Sequence, residues 1–354
     1  MKKKIIVAIS GGVDSAVAAQ ILLEQENDLI GVFFKNFLDK NSNYQKKAEA
    51  IAKKLKIPFF VFDFTEKFFD QIYQPFLEKI KKGITPNPCI LCNKNFKFGI
   101  FMDHVLEKFS TNFFATGHYA KIENKKNDYF LYEPKDHKND QTYFLHQLTA
   151  EQLKKIIFPL SNLTKEEVRK KAKKNNIKIF SEKSSTDICF LEGQKFSDFL
   201  EKKIKIQKGE IIDIDTKKIL GTHKGINFYT IGQRKNLGIG GVKNFPEEPF
   251  FVIKKNLKKN ILWVSQNKEH QKSNILYAKD IFWINKNLIP KNNFFSEAKI
   301  RFRTQKKKCQ IFFQEKNTIK VVFEEQIFSA TPGQYVVFYK DGVCLGGGEI
   351  ELRI

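Results

Sequence analysis

The stretch Lys4-Ile-Ile-Val-Ala-Ile-Ser10, running directly into Ser10-Gly11-Gly12-Val13-Asp14-Ser15, decides how the rest of the chain is read. An apolar run of this kind reads as a buried parallel strand around Val7, Ala8 and Ile9, and Ala16 to Leu23 reads as the helix that follows. Two glycines permit a sharp turn between them, so that backbone N–H groups converge at a helix N-terminus where the dipole favours an anion. Ser10 and Ser15 add hydroxyl donors, and Asp14 is placed either to cap the helix or to help hold Mg²⁺. A bare Gly-Gly corner with an acidic cap is the plainer reading, but the full SGGVDS string after a strand points to a phosphate. The chain has no GxxxxGK[ST] pattern, which excludes a Walker-type loop.

Strand and helix patterns alternate outward from this loop. Asp28 to Lys35 reads as a second buried strand, Tyr44 to Leu55 as a helix, Pro58 to Phe64 as a third strand, and Glu66 to Lys81 as a helix interrupted near Pro75. Gly83-Ile-Thr-Pro-Asn-Pro-Cys-Ile-Leu-Cys92 is expected to be irregular, because its prolines withhold ladder donors and helix geometry. Lys94 to Lys108 then reads as a helix and Asn112 to His118 as a strand ending in a Gly turn. The pattern predicts a doubly wound parallel α/β sheet with its ligand at the carboxyl ends of the strands. Thr164-Lys-Glu-Glu167 is a capping box opening a helix to about Asn175. Beyond about residue 200, short alternating strands replace the helices: Phe294 to Arg303, Cys309 to Gln314, Ile319 to Phe323 and Tyr335 to Tyr339, with Asp341-Gly342 as a hairpin turn. The expected organisation is a nucleotide domain over residues 1–200, a small β-rich central domain over 201–267 and a C-terminal β-barrel over 268–354.

At 354 residues the chain exceeds one hydrophobic core, and no apolar run is long enough to span a membrane. The Met-Lys-Lys-Lys start lacks the apolar stretch of a signal peptide, so a cytoplasmic protein is expected. A net charge of +23 points to a polyanionic partner, tempered by a general bias toward lysine in which only Arg169, Arg234, Arg301, Arg303 and Arg353 are arginines.

Five cysteines in so long a chain form no disulfide framework. Cys89 and Cys92 lie in the proline-rich segment, Cys189 lies in Ser185-Thr-Asp-Ile-Cys-Phe190, and Cys309 and Cys344 sit in strand patterns that read as core packing. There is no second Cys-x-x-Cys or His pair to complete a zinc site, so no metal centre is expected. Thiol chemistry is the natural alternative. Cys92 directly precedes Asn93-Lys94 at the start of an expected helix, where dipole and lysine together are expected to favour a thiolate.

SGGVDS, Thr85-Pro-Asn-Pro-Cys-Ile-Leu-Cys-Asn93, Ala115-Thr-Gly-His-Tyr119, Asp140-Gln-Thr-Tyr-Phe-Leu145, Ser185-Thr-Asp-Ile-Cys-Phe190, Tyr229-Thr-Ile-Gly-Gln-Arg234, Arg301-Phe-Arg303, Pro332-Gly-Gln334 and Val343-Cys-Leu-Gly-Gly-Gly348 occur in one order. Together they closely resemble the tRNA-specific 2-thiouridylase family (MnmA type) of the ATP-pyrophosphatase superfamily, over essentially the whole chain. The resemblance implies ATP-dependent 2-thiolation of the wobble uridine of Lys-, Glu- and Gln-type tRNAs, with Mg²⁺ and with a sulfur-relay or cysteine desulfurase protein as donor. Cys189 would carry a persulfide, and Cys92 would be the nucleophile that forms a transient disulfide with it. Ala8, Ile9, Ser10, Gly11, Gly12, Val13, Asp14 and Ser15, with Phe34 and Gly117, would bind ATP. Asn87, Pro88 and Cys89 would meet the target base, and His118, Asn139, Asp140, Gln141, Arg301, Phe302 and Gln334 the tRNA.

This chain departs from the family at Cys89, often Asp; at Asn139, usually Lys; at Phe34, often Met; and at Phe302, often Tyr. Arg301 and Arg303, spaced by two, are expected to project from one face of a strand, where a planar bidentate donor suits phosphate. Two other readings stand beside this one. Another ATP-pyrophosphatase would act on a small carboxylate, and a tRNA-binding module would keep only a vestigial ATP site.

Overall fold

Residues 2–36, 43–177, 188–191, 196–240 and 245–353 are described by the computed structural model. Strand β1 (Lys4–Ala8) is the centre of a parallel sheet. β2 (Asp28–Lys35) and β3 (Phe59–Asp63) lie on one side of it, and β4 (Phe114–Ala115) and β7 (Ile156–Ile157) on the other, giving the order β3-β2-β1-β4-β7. The strand order reverses at β1, so the crevice between the carboxyl ends of β1 and β4 is the topological switch point. Ile5, Ile6, Val7 and Ile9 are fully buried there, as a strand covered by helices on both faces requires.

Helices Val13–Glu24 and Tyr44–Leu55 follow β1 and β2. The expected interruption near Pro75 takes the form of a π turn rather than a break. Helical structure runs from Thr65 to Lys81, with a π turn at Phe69–Tyr73 just before the proline and Pro75 in the first turn of Gln74–Lys81. Pro75 lacks a donor, and a first-turn position needs none. The expected capping box is present: Thr164 accepts from the Glu167 N–H at 3.2 Å and its own N–H donates to Glu167 at 2.6 Å, opening Lys165–Lys174.

The central domain is a four-stranded sheet, β10-β11-β8-β9, of β8 (Gly209–Asp213), β9 (Ile219–His223), β10 (Phe251–Asn256) and β11 (Ile261–Ser265). In the C-terminal unit, β12 (Lys272–Trp283), β13 (Phe294–Lys299), β14 (Lys307–Phe313), β15 (Ile319–Phe328), β16 (Tyr335–Lys340) and β17 (Val343–Arg353) pair antiparallel in the order β12-β15-β14-β13-β16-β17. Pairing of β12 with β17 closes the barrel. Asp341 and Gly342 both have positive φ, at 50° and 77°, as a tight hairpin turn between twisted strands demands. One hairpin, β5 (Lys121–Lys125) and β6 (Asp128–Tyr132), was not expected from the sequence. It leaves the nucleotide domain and pairs with β17 through Val343↔Tyr132 and Cys344↔Leu131, extending the barrel sheet.

Charge locks this graft in place. Lys299, at the end of β13, donates to Asp140 at 2.7 Å and lies 3.5 Å from Glu133, which in turn receives Lys306 at 2.9 Å. The Asp140 side chain is 1% exposed and that of Lys299 10%. A buried pair is costly to break because the surviving charge is stranded. Lys299→Met is expected to lower stability by about 3–5 kcal/mol, read as a fall in the urea midpoint of the purified chain. An unchanged midpoint would mean that the pair does not hold the hairpin to the barrel.

Candidate active site

The turn after β1 is folded by its own hydroxyls. Ser15 Oγ accepts the Ser10 N–H at 3.1 Å and donates to the Gly12 carbonyl at 2.9 Å, while Ser10 Oγ accepts the Gly12 N–H at 3.4 Å. Gly11 has φ +81°, and a Cβ there would fall 2.7 Å from the Tyr44 carbonyl oxygen, so only glycine fits. Gly12 is the N-cap of Val13–Glu24, and no side chain caps that helix. Its first-turn N–H groups therefore face the crevice as donors for an anion.

Asp14 is not the cap. Lys165 Nζ donates to both of its carboxylate oxygens at 2.6 Å, and the Tyr119 hydroxyl donates to Oδ1 at 2.9 Å. Burial and the Asp14 carboxylate push the Tyr119 phenol well above its ordinary range, so it stays a donor. Lys165 is a cation at the phosphate loop that the sequence reading missed. Its signal was the capping box, whose second residue it is. The turn after β4 lies flush on this loop, because a Cβ on Gly117 would fall 2.7 Å from both Asp14 C and Ser15 N.

The cysteine segment differs from its expectation. Helical structure begins at Pro88, with proline in its first turn and Asn87 as N-cap, and continues from Pro88–Leu91 into a π-helical run, Cys92–Phe101, that kinks at Gly99. Helix Met102–Lys108 follows. Gln152 stabilises the run by donating to the Lys94 carbonyl at 3.1 Å and the Phe98 carbonyl at 2.8 Å. Cys89, not Cys92, therefore occupies the first turn.

The expected low thiol pKa is not found. Burial raises the Cys92 thiol to about 11, with Lys97 opposing and Cys89 adding to the rise. Burial also raises Cys89 to about 12, helped by nearby Cys189 and opposed by Lys97. Lys94, the lysine expected to assist, lies over the Phe282 ring at 4.9 Å instead. Cys189 is exposed in the short turn Cys189–Leu191, anchored by Phe190 against Phe76 at 5.1 Å and Tyr73 at 5.6 Å. Ser185, Thr186 and Asp187 of its motif lie outside the described residues. Cys309 and Cys344 are buried in the barrel.

The segment that leads into the cysteines is gripped from two sides. Leu257, from the β10–β11 turn of the central domain, fills the space beside Gly83, which has φ +68°. From the barrel, Gln334 Nε2 donates to the Thr85 carbonyl at 2.8 Å and the Thr85 N–H donates to Pro332 at 3.3 Å. Gly333, at φ +89°, abuts Ile84 and Thr85 so closely that no Cβ fits.

Several residues carried over as RNA contacts have protein partners. Asp140 is the buried partner of Lys299. Arg301 lies beyond β13, in a turn rather than on a strand face, and donates to Ser329 at 2.7 Å, Thr331 at 2.8 Å and Ile231 at 3.1 Å, stapling the central domain to the barrel. Gln141 accepts the Tyr119 N–H at 2.9 Å, and Asn139 donates to Asp136 at 2.9 Å. Phe302 packs on Phe144 at 4.4 Å, leaving Arg303 exposed beside it. Phe34 packs edge-on against Phe96 and Phe101, tying the end of β2 to the cysteine helix. Among the described residues, no three His, Cys, Asp or Glu side chains are grouped to hold a metal, and no helix is long and apolar enough to cross a membrane.

Fold and site together define a nucleotide-binding enzyme of the ATP-pyrophosphatase type, with a cysteine-bearing helix and two β-rich domains. Residues 3–193 match the family described as tRNA methyl transferase HUP domain, 197–266 its PRC-barrel domain, and 273–350 the aminomethyltransferase beta-barrel domain. The chain is 41% identical to tRNA-specific 2-thiouridylase MnmA 1 of Geobacillus kaustophilus, over 99% of this chain and 96% of that protein. It is 42% identical to tRNA-specific 2-thiouridylase MnmA of Buchnera aphidicola, over 99% and 98%. Among solved structures, the U34-tRNA thiolase NcsA from Methanococcus maripaludis, with its [4Fe-4S] cluster, aligns at TM-score 0.33 and 21% identity over 56% of this chain and 66% of that one. The chain belongs to the tRNA-specific 2-thiouridylase family.

Gly117→Ala is expected to push the β4 turn off the phosphate loop and weaken ATP binding at least tenfold by calorimetry, with the fold retained. Wild-type affinity would show that the close approach is not needed for the nucleotide.

Proposed function

We propose that this enzyme replaces the C2 oxygen of a wobble uridine in tRNA with sulfur, using ATP. One observation carries the reading: the four residues after β4 touch both halves of the site. Gly117 and Tyr119 rest on the phosphate loop and Asp14, while His118 reaches Lys97 on the cysteine helix. Activation and sulfur transfer thus share one crevice.

A uracil C2 carbonyl is a weak electrophile without a leaving group. Attack of its oxygen on the α-phosphorus of ATP expels pyrophosphate and installs AMP as that group. The terminal sulfur of a Cys189 persulfide, delivered by a donor protein, then attacks C2 and AMP departs with the original oxygen. Cys92 attacks the Cys189 sulfur, breaking its bond to the transferred sulfur and leaving a Cys92–Cys189 disulfide for later reduction. Asp14 would offer one carboxylate to Mg²⁺, which would supply charge neutralisation at the triphosphate. Lys165 would then turn from Asp14 to the phosphates. The electrostatic proximity of Cys189 to Cys89 supports a second reading, in which Cys89 is the resolving thiol.

The test is a thiolation assay with ATP, Mg²⁺, a persulfide donor and unmodified tRNA, reading 2-thiouridine by mass spectrometry. Product is expected from the wild type and from Cys89→Ser, and none from Cys189→Ser or Cys92→Ser. Loss in Cys89→Ser with retention in Cys92→Ser would favour the second reading, and ATP cleavage without thiouridine would favour a small-carboxylate synthetase.

The charge of +23 and the exposed Arg303 suit a cytoplasmic enzyme that holds tRNA through its phosphates. The tRNA affinity is expected to fall by about 10³ between 50 and 200 mM salt. A flat salt profile would contradict this mode of binding.

A further inference from the structure

We propose that Lys97 is the cation that steadies the sulfur anion formed at the Cys89–Cys92 turn, and that His118 holds it there. The backbone makes the arrangement possible. In an α-helix, positions 92 and 97 would diverge by about 140°, but a π-helical run links residues five apart and brings them to one face, a turn apart. The π run over Cys92–Phe101 thus places Lys97 on the side of Cys92, and Gln152 supports it by binding the Lys94 and Phe98 carbonyls.

The partner of Lys97 fixes its protonation. Lys97 Nζ lies 3.5 Å from His118 Nε2, and His118 Nδ1 lies 2.7 Å from Thr116 Oγ1. An ammonium has only donors, so Nε2 must accept and Nδ1 must carry the proton that goes to Thr116. That is neutral histidine. Burial, followed by the Lys97 charge, holds His118 well below its ordinary pKa, which agrees with this assignment. Phe98 and Phe158 pack against the ring at 5.5 and 5.9 Å and fix its plane. Among the described residues, the charged and titratable groups acting on the two thiols are each other and Lys97 from their own helix, and Cys189 from its short turn, while His118 from the turn after β4 faces Lys97. His118 is therefore a positioning residue for Lys97.

The inference deepens the thiolation reading, but its test needs neither ATP nor tRNA, so the two fail separately. The full-length chain is alkylated with iodoacetamide from pH 7 to 10, and each cysteine is quantified by peptide mass spectrometry with exposed Cys189 as internal reference. Lys97→Met is expected to slow Cys92 alkylation tenfold or more at pH 9, and Lys97→Arg to restore it to within threefold. His118→Gln keeps an acceptor for Lys97 and is expected to react like the wild type, whereas His118→Phe follows Lys97→Met. If Lys97→Met unfolds, seen as reactivity at Cys309 and Cys344, Lys97→Gln takes its place with the same expected slowing. Wild-type Cys92 rates in the folded Lys97 variant would overturn the proposal. A His118→Phe variant that alkylates normally but binds tRNA weakly would overturn the role given to His118.

Discussion

The hold on Gly83, Ile84 and Thr85 is the constraint on which the rest of the structure depends. These three residues lead into the helix that carries Cys89 and Cys92, and they are held both by the end of the preceding helix and by the two β-rich domains. Leu257 of the central domain packs against Gly83, and Gly333 and Gln334 of the barrel fasten Ile84 and Thr85. A parallel sheet alone can present a phosphate loop. The Gly83 and Ile84 N–H groups close the preceding helix onto the Ile80 and Lys79 carbonyls, whereas Thr85 finds its backbone partners in the barrel, so nucleotide domain and barrel position the cysteines together, with Leu257 of the central domain packed alongside.

The same division of labour explains the arginines and the buried charges. In a chain that uses lysine almost everywhere for positive charge, Arg301 is spent on three carbonyl and hydroxyl oxygens at the meeting of central domain and barrel. All three bonds come from one guanidinium nitrogen, Nη2, which therefore ties both domains at a single point. Lys299 and Asp140 do the corresponding work between the barrel and the segment that follows the β5–β6 hairpin.

Much of this was legible in the sequence. The apolar run before SGGVDS, the capping box at Thr164 and the Asp341-Gly342 turn are local signals, and each produced the expected element. What escaped was set by tertiary context. The hairpin from Lys121 to Tyr132 finds its partner in β17, more than two hundred residues away. Arg301 and Arg303 have a spacing of two, but the strand stops at Lys299, so the period carried no meaning there. At the cysteines, reading prolines only as helix breakers hid that Pro88 starts a helix. That shift of a few residues moved Cys92 off the N-terminus and replaced Lys94 by Lys97. A π turn has no sequence signature of this kind.

The central claim is that the phosphate loop and the cysteine turn act in succession on one uracil C2 atom. The most direct measurement uses tRNA carrying ¹⁸O at the C2 oxygen of its wobble uridine, with AMP and pyrophosphate analysed by mass spectrometry after thiolation. The account requires that AMP acquire one ¹⁸O atom and that pyrophosphate stay unlabelled. Formation of 2-thiouridine alongside unlabelled AMP would contradict it.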